Sequence, residues 1–111
     1  MFLTTLRYIF SFITVATKTK VIYANHFDPS KTTLTQIFNL FSAFGNIEKM
    51  IFLKSKQAVI IEYDLPAHAG MAKDCLGDCT FNGSIIKVFN SHYENVFFKD
   101  PSEKPEDEEY F

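Results

Sequence analysis

Residues 33–63 read TLTQIFNLFSAFGNIEKMIFLKSKQAVIIEY, and the change of apolar period inside this stretch decides the fold. Thr33 stands three residues before Gln36, the spacing of a capping box, and Leu34, Ile37, Phe38 and Phe41 then recur at helical intervals up to Gly45. That spacing predicts a helix of roughly ten residues with Gly45 just past its end. Two apolar, β-rich runs follow, Ile47 to Leu53 and Ala58 to Tyr63, joined by the short polar connection Lys54-Ser55-Lys56-Gln57. They read as two strands of a hairpin.

Working outward, Lys20-Val21-Ile22-Tyr23-Ala24-Asn25 is β-branched and aromatic, and it runs into His26-Phe27-Asp28-Pro29-Ser30, whose Asp, Pro and Ser supply turn chemistry. On the other side, Asp64 and Pro66 open a second helix through Ala69, Ala72, Cys75 and Leu76, and Gly77 closes it. After residues 78–83, the run 85–89 is a fourth strand. The order βαββαβ predicts an α+β fold of the ferredoxin-like kind, a four-stranded antiparallel sheet with two helices on one face. Many functions share that arrangement, so chemistry must be sought on the helix-free face.

A chain of 111 residues holds one domain with short appendages. Hydrophobic residues make up 47% and charged residues 22%, which excludes wholesale disorder, collagen and coiled coil. There is no Trp, but 13 Phe and 5 Tyr must supply most of the core. The net charge of −2 hides an asymmetry. Residues 99–111 carry two lysines against six acids (Asp100, Glu103, Glu106, Asp107, Glu108, Glu109), which leaves nine bases and seven acids in residues 1–98. That excludes a strongly basic binder but allows a nucleic-acid surface of modest pull. Three segments result: an apolar N-terminal segment 1–17, a domain over 18–98, and an acidic tail 99–111 expected to be solvated and disordered. The apolar run Tyr8 to Ala16 is too short for the roughly 20 residues that a span requires. It leaves three readings open: a signal or transit peptide, an element packing on the domain, or a non-native start.

Two sheet segments carry a family resemblance. Val21-Ile22-Tyr23-Ala24-Asn25 sits where an RNA recognition motif carries its first-strand hexamer, and Lys56-Gln57-Ala58-Val59-Ile60-Ile61-Glu62-Tyr63 resembles its third-strand octamer. Lys56, Val59, Ile61 and Tyr63 match, while Ile22, Ala58 and Ile60 stand where most such domains place the rings that stack bases. The block Ile37-Phe38-Asn39-Leu40-Phe41-Ser42-Ala43-Phe44-Gly45-Asn46-Ile47-Glu48-Lys49 is similar to the motifs of the polypyrimidine-tract-binding protein and heterogeneous nuclear ribonucleoprotein L family, which also tend to lack those rings. Lys54-Ser55-Lys56 and Asn90-Ser91-His92-Tyr93-Glu94-Asn95-Val96 extend the similarity over about residues 18–98. It departs at His26, usually aliphatic, in a second-to-third strand loop about one residue short, and in the N-terminal segment.

Strand alternation then sorts the side chains. Val21, Tyr23, Met50, Phe52, Val59, Ile61, Ile86 and Val88 are expected to face the helices, and Ile22, Ala24, Ile51, Leu53, Ala58, Ile60, Lys87 and Phe89 to face outward. The outward set is mostly apolar, as a partner surface would be. The resemblance implies a short single-stranded pyrimidine segment lying across it, with Phe89 as a stacking ring and Lys54, Lys56 and Lys87 near phosphates. It further implies that Ser91, His92 and Tyr93, leaving the fourth strand, bond or stack on bases, and that the chain works in the nucleus in pre-mRNA splicing or processing beside other RNA-binding proteins. Val96-Phe97-Phe98 is expected to form an extra C-terminal edge strand, a feature of that family. The competing reading is a protein-interaction module whose apolar sheet face takes a partner peptide or the N-terminal segment.

Catalysis finds no pattern: there is no glycine-rich phosphate loop, no nucleophile elbow and no H-E-x-x-H. The carboxylate pairs Glu62 with Asp64 and Asp74 with Asp78 lie on a strand end and a helix flank. His26, His68 and His92 are scattered, and Cys75 with Cys79 is a C-x3-C pair short of a zinc site, so no metal, cofactor, small-molecule substrate or membrane is expected.

Overall fold

The computed structural model describes residues 19–91, 95–100 and 102–111. The strands are β1 (Val21–Asn25), β2 (Ile47–Leu53), β3 (Ala58–Tyr63), β4 (Thr80–Phe81), β5 (Ser84–Ile85), β6 (Lys87–Asn90) and β7 (Glu108–Tyr110), and the helices are α1 (Leu34–Phe41) and α2 (Pro66–Leu76). The main sheet has five antiparallel strands in the order β6-β1-β3-β2-β7, and β4 with β5 forms a separate small hairpin. This is the expected ferredoxin-like arrangement with an added edge strand.

Local chemistry explains the boundaries. The Thr33 hydroxyl accepts from the Gln36 N–H while the Gln36 side chain accepts from the Thr33 N–H, closing the capping box at the start of α1. A 3₁₀ turn over Ser42–Phe44 then leads to Gly45. A Cβ on Gly45 would lie 2.4 Å from the His68 ring, so the glycine is required for α2 to approach. Pro66 occupies the first turn of α2, where its missing N–H costs nothing. Asn82 and Gly83 both have positive φ, 50° and 85°, the conformation of the tight turn between β4 and β5. Positive φ at His26 turns the chain so that exposed His26 meets the Ile85 carbonyl at 2.9 Å and Phe27 enters the core.

Ile37 and Phe41 of α1 and Ala69, Ala72 and Leu76 of α2 pack on Met50, Phe52, Val59, Ile61, Tyr63, Ile86 and Val88. The Tyr63 hydroxyl, wholly buried, donates to the Phe41 carbonyl at 2.7 Å, and burial pushes its ionisation far above the ordinary phenol range.

The alternation expected for β1 is corrected. Ile22 and Ala24 are fully buried among the helix-facing residues, while Val21 packs on the opposite side with Ile51. β1 lies between β3 and β6, and the register Ile22↔Ile61 and Tyr23↔Ile60 fixes which residues share a face. The run is apolar on both sides, so its pattern did not declare the phase.

The C-terminal expectations also change. Residues 95–98 form no strand; the edge strand is Glu108–Tyr110, paired to β2, so the acidic segment is not disordered throughout. Phe111 extends this pairing through its bonds with Met50 and packs against Phe38 at 4.4 Å. The N-terminal segment 1–17 lies outside the described residues.

Candidate nucleic-acid interface

The helix-free face is organised by one cross-strand row. Phe89 on β6 pairs with Tyr23 on β1, Tyr23 with Ile60 on β3, Ile60 with Ile51 on β2, and Ile51 with Tyr110 on β7. Directly opposed residues of antiparallel strands share a face. The row therefore runs ring, ring, aliphatic, aliphatic, ring, with strands about 4.8 Å apart. Phe89 is 50% exposed and Tyr23 half-buried, so the β6–β1 end is open. Tyr23 supplies an outward ring on β1, one position after Ile22.

The other expected site residues divide. Ile51, Leu53 and Ile60 do face outward, with Ile51 largely covered and the other two half-buried. Ala58 is on the outward row but has no exposed surface, since its short side chain sits between the cross-strand neighbours Asn25 and Leu53. Ile22 and Ala24 offer a ligand nothing. Ser91 continues the β6 ladder, its N–H donating to the Val21 carbonyl at 3.0 Å. His92 and Tyr93 lie outside the described residues.

The basic residues have acidic neighbours. Lys87 bonds Asp78, Lys54 lies 3.3 Å from Glu109, and Lys20 lies 3.7 Å from Glu62. Lys56 is exposed, on a 3₁₀ turn whose Ser55 donates to the Asp107 carboxylate. That hydrogen bond, above all, holds the Asp107 carboxyl below the usual carboxylate range, with Lys56 a lesser cause. The pairs at Lys54 and Lys87 are solvent-exposed and contribute little stability.

The segment expected as an edge strand, Val96-Phe97-Phe98, instead lies over this face. Val96 is buried against Val21 and Ile51. Its N–H donates to the Glu62 carboxylate at 2.6 Å and its carbonyl accepts from Lys49 Nζ at 3.0 Å. Glu62 itself is only 4% exposed. Phe98 stacks on Tyr110 at 4.6 Å, tying residues 95–98 to the edge strand. A hint lay in Glu62, a charge at an outward strand position that needs a partner once covered.

Chemically, the face offers rings and aliphatic floor for flat apolar ligands, a few cations, and backbone groups at its margins. Among the described residues no group of three or more metal-ligating side chains lies together, and no helix is long and apolar enough to cross a membrane.

The family model for the RNA recognition motif, also known as the RRM, RBD or RNP domain, matches residues 8–111. Among solved structures, the RRM domain of S. pombe Puf1 is 25% identical, with a TM-score of 0.59, covering 66% of this chain and 99% of that one. The Rna15 RRM with bound RNA (GU) is 20% identical with a TM-score of 0.62, covering 70% and 88%, and Pes4 RRM3 is 18% identical at 0.60, covering 71% and 99%. The last two are likenesses of fold. A search of curated proteins found no match.

Proposed function

We propose, from the premise that the chain belongs to the RNA recognition motif family, that it binds single-stranded, pyrimidine-containing RNA across the row Phe89–Tyr23–Ile60–Ile51. The open ring pair at Phe89 and Tyr23 carries this reading: bases stack on aromatic faces for roughly 1–3 kcal/mol each, whatever their sequence. The RNA held by the similar Rna15 domain supports it. Lys56 and Lys87 lie at the margins of the face, where phosphates of a bound strand would pass. The resemblance to the polypyrimidine-tract-binding protein and heterogeneous nuclear ribonucleoprotein L motifs supports pyrimidine preference, a nuclear location and work in pre-mRNA processing beside other RNA-binding proteins. Modest charge and few rings make a lone domain a weak binder whose avidity comes from neighbouring modules.

Titration of the chain with pyrimidine-rich and CA-rich oligonucleotides tests this. Saturable binding, weakened roughly five-fold or more by Phe89→Ala, is expected. No binding at low salt overturns the reading, and a tight complex of the isolated chain contradicts the need for neighbours.

A second reading, a face that takes peptide, draws on the burial of Val96 over Val21 and Ile51. Part of this surface already accepts chain from its own C-terminal side.

A further inference from the structure

Residues 95–98 cross the sheet with their backbone held from both sides. The Glu62 carboxylate takes the Val96 N–H and Lys49 Nζ reaches the Val96 carbonyl. With Val96 pinned into the sheet, the next side chain is thrown the other way: Phe97 is 78% exposed, the highest exposure of any large apolar residue among those described. Its ring does not fill a gap in the fold. It stands over a hollow of about 210 Å³ lined by Ile51, Ile60, Asn95, Val96 and Phe97. Lys49 Nζ lies 5.7 Å from the ring centroid, which places a positive charge beside the hollow.

The position of the hollow matters more than its size. Its floor, Ile60 and Ile51, is the continuation of the row that begins at Phe89 and Tyr23. A strand of RNA whose bases stack on Phe89 and Tyr23 and which continues along that row arrives over Ile60 within one or two strand spacings, about 5–10 Å. There it meets an aliphatic floor, an exposed ring, a side-chain amide able to donate and accept, and a cation. Those are the parts that hold a flat, polar-edged ring next to a phosphate.

We infer that Phe97, carried over the sheet by the clamp on Val96, stacks a further nucleobase of the same RNA strand in the hollow above Ile60 and Ile51, with Asn95 at the base edge. The segment 95–98 thus adds a nucleotide subsite to the platform. The inference rests on the RNA-binding reading of that platform and extends it by one position.

NMR-monitored titrations of the full chain with uridine trinucleotide and hexanucleotide test it. Phe97→Ala is expected to weaken the hexanucleotide roughly five-fold or more and to leave the trinucleotide within two-fold, because the shorter strand is satisfied by Phe89 and Tyr23. Phe97→Tyr, which keeps a ring, is expected to retain parental affinity. Phe89→Ala is expected to weaken both lengths. If Phe97→Ala binds the hexanucleotide as tightly as the parent while Phe89→Ala still weakens it, the subsite is overturned and the platform stands. Tighter hexanucleotide binding by Phe97→Ala also overturns it, and identifies the segment as an internal competitor. Absence of binding by the parent chain at either length overturns the subsite together with the function on which it rests.

Discussion

Lys49 and Glu62 face each other across β2 and β3 and grip opposite ends of one residue, Lys49 on the carbonyl of Val96 and Glu62 on its N–H. Two opposite charges on a sheet face are thereby converted into a backbone clamp. Glu62→Ala is expected to cost roughly 1.5–3 kcal/mol, the range for a hydrogen bond to a charged group, because the buried Val96 N–H loses its acceptor. Denaturant unfolding together with amide exchange at Val96 measures it. Unchanged exchange in the variant would mean that the carboxylate does not hold the segment.

Face assignment in β1 is tested by neighbours with opposite outcomes. Ile22→Ala removes buried core volume and is expected to lower stability by about 2–5 kcal/mol while leaving the RNA affinity of the folded chain unchanged. Tyr23→Ala is expected to do the reverse on binding, weakening it roughly five-fold or more. Chemical denaturation and oligonucleotide titration on the same samples separate the two. Equal loss of affinity in both would place Ile22 on the wrong face.

Gly45 has room for His68 only because it lacks a side chain. Gly45→Ala sets a methyl against the His68 ring and Cβ, and is expected to cost about 1–3 kcal/mol, with loss of the 2.7 Å contact between His68 and Asp64. Pairing it with His68→Ala removes the ring but not the Cβ, so a double-mutant cycle should recover part of that cost.

Alkali should unlock the core at Tyr63. Burial raises its folded-state pKa above the ordinary value of 10.0, so the neutral form stabilises the fold below that pH and the contribution fades as pH climbs past it. Absorbance titration should show no phenolate signal from Tyr63 until unfolding. Tyr63→Phe should lose about 1–2 kcal/mol by removing the buried hydroxyl's hydrogen bond to the Phe41 carbonyl, as read by denaturation.

Acid should act at the other end. The Asp107 carboxyl has a lowered pKa in the fold, chiefly through the Ser55 hydroxyl, so its support is present above the ordinary carboxylate value of 3.8 and is lost as pH falls below it. Amide exchange in β7 is expected to rise first on acidification, before that of β1 and β3. Uniform loss across the sheet would contradict this.

The element order was legible because helix period, the capping box and the β-rich runs agree at Thr33, Ile47 and Ala58. The phase of β1 was not, because a central strand is apolar on both sides. Tyr23 and Asn25, with polar tips on alternate positions, were the signal to read instead. β7 was hidden by composition: six acids in thirteen residues suggest solvated chain, yet an edge strand needs only one covered face, and Tyr110 and Phe111 anchor it. Asn82-Gly83, a strong hairpin pair, marks the small β4–β5 ribbon between α2 and β6. The clamp on Val96 depends on contacts 34 and 47 residues apart in the chain, which local pattern does not encode.

The carboxylates beside Lys54 and Lys87 have a consequence for ionic strength. Affinity for a polyanion ordinarily falls with salt because mobile ions leave both surfaces on contact. Where a lysine already has a tethered acid at its side, an arriving phosphate displaces that acid and frees fewer ions into solution. Binding by this chain should thus respond only gently to added electrolyte, leaving selectivity to the flat faces of the bases.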